Sequence, residues 1–403
     1  MFEQVLQFVA EQDAEVFGRA PAAPAVFALQ GESGEPYISK TANLRRRLMR
    51  LLGEPDASRR LNLRARVRRI EWTATGSDFE SGLLLYAALR REFPRSYAAR
   101  LHWRPAPLIR LILENDYPRA MVTARIATLR GRSLYYGPFA TRPLAEKFLN
   151  DSLDFFKLRR CTDDLRPDPA FPGCMYSEMK MCLAPCFRGC TDAEYREEAE
   201  RVRQWFDSQG RSLVRELAAE RERASAALEF EQAAAAHLRW EKANAAAGQL
   251  DEIVRRLDQL NGVVVQPSAR ADHVALYRLE AGRLCGPAPF PLEHQSAEHT
   301  TKPRSMESRV NEALAVLPAL PASTALETLE HLAYLKRWYY RSAKVGELFL
   351  ADARGELPLR RVVRGIGRVF RGEPPAGEPG ETAHDYWVNR GRAAQLNPDN
   401  YNV

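Results

Sequence analysis

No stretch of about eighteen apolar residues occurs in the 403-residue sequence, and its N-terminus carries no basic segment followed by an apolar run. A membrane span and a secretory signal are therefore not expected, and the chain is expected to be cytoplasmic. Cysteine is scarce, at six residues, and five of the six fall between Cys161 and Cys190. Without export features, that clustering argues for metal ligation rather than a disulfide framework. The C-terminal part lacks any evident set of carboxylates suited to two-metal cleavage, and Glu347 and Asp352 stand there as isolated acids near an apolar patch.

The remaining composition, 45% hydrophobic and 28% charged, is that of a folded chain. The length suits two to four domains. The net charge of +7 is unevenly spread: ten arginines lie between Thr41 and Arg69, whereas Thr191 to Leu260 mixes both signs. An arginine-rich stretch suits a phosphate backbone, through bidentate geometry, and equally suits a solvated face.

Residues Met1 to Arg19 read as a short helix. Ala25–Leu29 and Glu35–Ser39 read as strands around a Gly-containing turn, Thr41–Leu52 as a helix with Leu44, Leu48 and Leu51 on one face, and Arg66–Thr75 as a third strand. Asp78 is placed to cap the next helix. Met121–Ile126 is strand-like, Arg142–Phe156 helical, and Tyr135-Tyr-Gly-Pro-Phe139 an aromatic turn. In Asp192–Gln209 the apolar positions Tyr195, Ala199, Val202 and Phe206 are spaced four, three and four, as an amphipathic helix requires. Ser212–Leu260 reads as a long helical region, folded as an antiparallel hairpin or coiled coil, with Leu250, Ile253, Leu257 and Leu260 continuing its seam. Val263–Gln266 and Val274–Leu279 read as strands, Met306–Tyr340 as mostly helical, Gly372–Gly380 as a linker, and Tyr386 and Trp387 as a docking point in the tail. His331, Trp338 and Tyr339 read as core and surface aromatics.

The spacing Cys161-x12-Cys174-x7-Cys182-x3-Cys186 supplies four thiolates, enough for a tetrahedral ion or the four corners of an iron–sulfur cubane. Structural zinc more often uses two tight pairs, and here only the last pair is tight. Cys190 is a nearby spare thiol, expected to be buried.

The run Phe156-Lys-Leu-Arg-Arg-Cys161-Thr-Asp, then Cys174, then Cys182-Leu-Ala-Pro-Cys186 with Tyr195 downstream, resembles the cysteine segment of UvrC, the endonuclease subunit of bacterial nucleotide excision repair. The resemblance implies that Cys161, Cys174, Cys182 and Cys186 bind a [4Fe–4S] cluster. It extends to a GIY-YIG nuclease domain, through Ala25-Val26-Phe27, Tyr37-Ile38-Ser39-Lys40 and Asn43-Leu44-Arg45-Arg46-Arg47. Such a domain implies tyrosines and an arginine around a scissile phosphate and a glutamate holding Mg2+ or Mn2+. Tyr37 and Arg47 match those positions. Phe27, Ser39 and Leu51 depart from them, and Ser81 stands where the metal-binding glutamate is expected, with Glu80 one position earlier. Glu80 would serve only if the backbone rearranged. A third likeness, Leu228-Glu229-Phe230-Glu231-Gln232-Ala233-Ala234, is to the UVR motif that docks on UvrB, with Leu228, Phe230 and Glu231 as contacts; an alanine-rich hairpin packed on its own chain is the alternative.

The resulting expectation is an α/β N-terminal GIY-YIG-like domain (1–100), a connecting and cysteine-rich iron–sulfur region (101–210), a UVR-like helical hairpin (211–260) and a mixed α/β C-terminal region (261–403), too short for the family's full C-terminal nuclease region. Three functions remain open. One is a UvrC-like repair protein that binds DNA through Arg45, Arg46, Arg47 and Arg50 and interacts with UvrB, with a lost or weakened nuclease. The second is an active metal-dependent endonuclease using Tyr37, Arg47 and Glu80. The third is an iron–sulfur scaffold that binds no DNA.

Overall fold

A computed structural model describes residues 2–54, 62–129, 131–162, 165–292, 304–320, 324–342 and 344–375. The expected docking point at Tyr386 and Trp387, and the linker from residue 376 onward, lie outside the described residues. The architecture is mixed α/β, with three four-stranded sheets, all antiparallel among the described residues.

The first sheet takes β1 (Gln4–Gln7), β2 (Ala25–Gly31), β3 (Tyr37–Thr41) and β4 (Val67–Ala74), in the order β1-β4-β2-β3. With it come α1 (Asp13–Arg19), α2 (Leu44–Leu52), α3 (Asp78–Glu92) and α4 (Tyr97–Leu101). Leu44, Leu48, Leu51 and Leu52 seat α2 on the sheet, and Asn43 caps it by accepting the Arg46 N–H at 3.0 Å. The expected helix over Met1–Arg19 is only half right. Residues 4–7 instead pair with β4, Gln4 opposite Trp72 and Gln7 opposite Arg69, because the free edge of β4 offers backbone partners that a short isolated helix could not match. Ser77, not Asp78, caps α3, accepting the Glu80 N–H at 3.1 Å.

The second sheet takes β5 (Leu108–Ile112), β6 (Arg119–Thr123), β7 (Leu134–Gly137) and the two-residue β8 (Arg255–Arg256), in the order β6-β5-β7-β8. Helices α5 (Arg142–Leu153), α6 (Met175–Glu178) and α7 (Asp192–Asp207) follow the first three strands in sequence. Tyr195, Ala199, Val202 and Phe206 are buried as their spacing predicts, with Trp205 wholly buried beside them and donating to Ser152 Oγ at 2.9 Å. Helices α8 (Arg211–Ala226) and α9 (Phe230–Ala247) then form a hairpin. It ends earlier than its seam spacing suggested. Beyond Gly248 the chain leaves the helix, and Ile253, Leu257 and Leu260 bury themselves in the central core around β8. Three leucines and an isoleucine at helical spacing serve a turn equally well when the tertiary core supplies their contacts.

The third sheet takes β9 (Gly262–Pro267), β10 (His273–Glu280), β11 (Arg283–Pro291) and β12 (Glu347–Leu350), in the order β11-β10-β9-β12. Strand alternation divides its side chains between two cores. Val263, Val265 and Leu276 pack with α10 (Met306–Ala315) and α12 (Leu359–Arg371), while Val264, Ala275 and Tyr277 face the central core, which includes α11 (Ala325–Tyr339). His331, Trp338 and Tyr339 on α11 are buried there.

Candidate nuclease face and cysteine centre

Of the expected catalytic residues, the fold joins two. Tyr37 on β3 and Arg47 on α2 meet directly, Arg47 Nη2 donating to Tyr37 Oη at 2.9 Å. Phe27 lies beneath them, fully buried, its ring centroid 6.1 Å from that of Tyr37. Leu51 is buried too, so neither departed tyrosine position presents a group to a phosphate. Arg46 and Arg50 are exposed on the same helix. Arg45 is engaged elsewhere: it donates to the carbonyls of Ala20 at 2.9 Å and Gly18 at 3.2 Å, closing the end of α1.

The N-terminus of α3 is occupied by its own caps. Glu80 accepts the Gly76 N–H at 2.7 Å, and burial raises its carboxyl above the ordinary value against that hydrogen bond. Ser81 is buried; its Oγ lies 2.6 Å from Thr75 Oγ1 and donates to the Ser77 carbonyl at 3.0 Å. No group of three His, Cys, Asp or Glu residues among the described residues is compact enough to hold one metal ion.

What covers this helix was not legible in the sequence. Helix α11 lies across α3, and the Tyr334 hydroxyl donates to the Phe79 carbonyl at 2.7 Å. Phe79 in turn packs among Tyr277, Tyr334 and Trp338, at centroid distances of 5.1, 5.4 and 5.0 Å. Tyr86 and Tyr97 both donate to Glu330, each at 2.7 Å, and Arg90 pairs with Glu327 at 3.0 Å. Burial and then the Glu330 carboxylate push the Tyr97 phenol up to about 12. Asp78 sits between Lys40 and Arg341; burial opposes its ionisation, but the two cations outweigh it and hold the carboxyl below its usual range. Each ion pair bridges segments remote in sequence, so no local pattern announces it.

The four cysteines lie on an irregular loop. Cys174 caps the short α6, Cys182 accepts the Ala184 N–H at 3.1 Å, and Cys186 sits in a tight turn between Ala184 and Arg188, both left-handed at φ 55° and 58°. Burial raises the Cys182 and Cys186 thiols, and Cys161 and Cys174 raise both further. A single zinc ion would draw its sulfurs to within about 3.8 Å of one another. A cubane places each ligand on a separate iron corner instead. The donor set fits such a cluster. Cys190 is half-buried against the core, burial pushing its thiol up to about 11.

One residue beside this loop went unremarked in the sequence. Arg159 is 1% exposed. Its Nε donates to the Tyr117 carbonyl at 2.9 Å and its Nη1 faces Cys161 Sγ at 3.6 Å. Its own N–H is held by Tyr195 Oη at 3.0 Å, and that hydroxyl donates to the Pro118 carbonyl at 2.8 Å. The signal available in sequence was an arginine two residues before Cys161; its burial was not.

At the hairpin tip, Leu228 (φ 60°) and Phe230 are 71% and 70% exposed, and Glu231 is also exposed, in the first turn of α9. The isolated acids of the C-terminal part are accounted for locally. Glu347 takes a two-pronged contact from Arg368 at 2.8 and 2.7 Å, and Asp352 accepts the N–H groups of Arg354 and Glu356.

Residues 107–205, which carry β5 to β7, α5, the cysteine loop and nearly all of α7, match the UvrC/Cho excinuclease middle domain. UvrABC system protein C of Rickettsia rickettsii (strain Sheila Smith) is 29% identical over 280 residues, 67% of this chain and 42% of that protein. Its counterpart in Rickettsia bellii is 30% identical over 275 residues, covering 66% and 41%, and that of Moorella thermoacetica 28% over 222 residues, covering 55% and 36%. The chain thus spans about two fifths of the length of the curated relatives it matches. No solved structure matches it. Residues 107–205, with all four cysteines, are thus similar to the UvrC/Cho excinuclease middle domain, and about two thirds of the chain is similar to UvrABC system protein C.

Proposed function

We propose that this chain is a DNA-repair protein of the UvrC type that binds DNA, holds a [4Fe–4S] cluster on Cys161, Cys174, Cys182 and Cys186, and docks a UvrB-like helical partner, while its GIY-YIG-like domain no longer cuts. The observation that carries the loss of cleavage is Ser81. The position expected to hold the metal is a buried hydroxyl saturated by Thr75 and Ser77, in a helix covered by α11. A hard divalent ion needs a free, accessible carboxylate, whereas Glu80 is half-buried and holds the Gly76 N–H, and Asp78 is paired with Lys40 and Arg341. Arg46 and Arg50 support the DNA reading as exposed cations beside the Tyr37–Arg47 pair. The cluster, when bound, would supply a rigid four-point crosslink to a loop with little regular structure. Leu228 and Phe230 support the docking reading, as exposed apolar anchors at a hairpin tip.

The Tyr37–Arg47 contact is the one feature that favours a surviving nuclease. Anaerobically purified protein incubated with damaged and flapped duplexes plus Mg2+ or Mn2+ decides between the two. No cleavage, with salt-dependent binding weakened when Arg46 and Arg50 are neutralised, sustains the proposal. Cleavage abolished by Glu80→Gln would replace it with an active endonuclease, and failure to bind any DNA at low salt would leave an iron–sulfur scaffold.

A further inference from the structure

Helix α12 carries five arginines and no acid: Arg360, Arg361, Arg364, Arg368 and Arg371. Its apolar side is committed to the third sheet. Val362, Ile366 and Val369 are buried, and at Gly365 a Cβ would come within 2.2 Å of the Phe349 ring, so the helix lies as close to the sheet as a backbone can. This seating turns the arginines outward.

They are not equivalent. Arg368 is fixed by Glu347, and Arg371 donates to Glu373 at 2.9 Å. Arg360 is 92% exposed and reaches Glu307 only at 3.8 Å. Arg361 and Arg364 are exposed and have no carboxylate within ion-pair distance among the described residues. Positions 360, 361 and 364 share one side of the helix within about 6 Å along its axis. Three guanidinium groups are thus held close together on a rigid element, with one carboxylate, Glu307, within ion-pair distance among the described residues. Gly367 follows three residues later on the same side, where the Arg371 guanidinium lies over it, 3.2 Å from where a Cβ would be.

Such a ridge recognises a polyanion with closely repeated charges. DNA carries one phosphate per roughly 3.4 Å of each strand, so the span matches about two successive phosphates. The planar guanidinium suits two-pronged phosphate contact better than an ammonium does. An anionic membrane is the weaker fit: a helix that lies in a bilayer interface must bury its apolar face in lipid, and that face is already buried in the sheet. We propose that Arg360, Arg361 and Arg364 form a DNA-backbone contact on the C-terminal unit, separate from the Arg46 and Arg50 surface of α2. The inference rests on the reading that this chain binds DNA.

The full chain, purified anaerobically, is titrated against a fluorescein-labelled duplex over a series of potassium chloride concentrations. The variants compared are Arg360→Ser/Arg361→Ser/Arg364→Ser, the same three positions to Lys, Arg364→Ser alone, and Arg46→Ser/Arg50→Ser. The triple serine variant is expected to lose at least about tenfold in low-salt affinity and to reduce the slope of log K against log salt by roughly 2 to 3, whereas the triple lysine variant keeps the slope. Should the triple serine variant not fold, Arg364→Ser alone reads the same effect at roughly one unit of slope. Unchanged affinity and slope in the serine variants, with both reduced by the α2 pair, would overturn the ridge while leaving DNA binding intact. An unsubstituted chain that binds no duplex would overturn both. Binding to phosphatidylglycerol vesicles that depends on the three arginines, with DNA binding unaffected, would reassign the ridge to a membrane surface.

Discussion

Tyr334 rests on Gly82. A Cβ placed on Gly82 would meet the Tyr334 hydroxyl at 2.2 Å and its ring at 2.6 Å, while that hydroxyl donates to the Phe79 carbonyl one turn earlier. The helix that should carry a metal-binding glutamate is therefore the seat of an aromatic side chain from the other end of the chain. The close approach is possible only because residue 82 has no side chain.

Gly82→Ala should accordingly destabilise the protein by about 1–3 kcal/mol, the usual consequence of overpacking. Tyr334→Ala should cost about 3–5 kcal/mol by itself, through the cavity it leaves. Because the first change clashes with the side chain that the second removes, the double variant should be less than additive, which urea unfolding of all three can check. Additive costs would mean that the two residues are not in contact in solution.

Ser81→Glu should not restore cleavage. The new carboxylate would enter a buried site whose polar partners, Thr75 Oγ1 and the Ser77 carbonyl, offer it one hydroxyl donor and one repelling acceptor. A loss of several kcal/mol in stability is expected, without metal-dependent cutting of a flapped duplex. A stable, cutting variant would show that α11 moves off α3 readily.

His331 makes the α3–α11 region sensitive to acid. Its Nδ1 accepts the Leu284 N–H at 2.9 Å, and it is flanked by Glu327, Arg283 and Arg90. Burial is the main cause that depresses it to about 4. The unfolded chain takes up this proton near pH 6.5 and the folded chain does not, so stability is full above pH 6.5 and falls as pH drops towards 4. The contribution lost is on the order of 3 kcal/mol. The drop in urea midpoint between pH 7 and pH 4.5 should therefore shrink in His331→Gln.

Arg159→Met should weaken the proposed cluster. It removes a donor beside Cys161 and uncovers the Tyr117 carbonyl in a buried place. Partners of metal ligands typically change metal retention by about 10- to 100-fold. Iron loss to a chelator, followed by visible absorbance, should accelerate to that extent, with Arg159→Lys intermediate. Purified protein that holds one zinc and no iron would instead remove the cluster assignment itself.

Phe230→Ala should separate docking from folding. The side chain is 70% exposed, so stability should change by less than about 0.5 kcal/mol. Loss of about 2 kcal/mol or more in binding to a UvrB helical hairpin, measured by calorimetry, would mark it as an anchor. Equal affinity would return the hairpin to a purely internal role.

The secondary elements that the sequence announced were those with a strong local period. Helix α7 followed its four-three-four spacing, α2 its leucine face, and β9 and β10 their short apolar runs. The errors arose where tertiary partners decided. Residues 4–7 became a strand because β4 had an open edge, and Leu250–Leu260 left the helix because the central core claimed its apolar side chains.

By itself, the sequence determined the spacing of the four clustered cysteines, the resemblance it carries and the absence of the expected glutamate, because these depend on residue identity and spacing along the chain. Only the tertiary structure decided that Ser81 is sealed rather than vacant, that Arg159 lies against Cys161, and that Arg361 and Arg364 of α12 stand exposed beside Arg360 with no carboxylate of their own within ion-pair distance among the described residues. Those relations join segments up to about 250 residues apart, or depend on which face of a helix is buried, and neither is encoded in any local pattern.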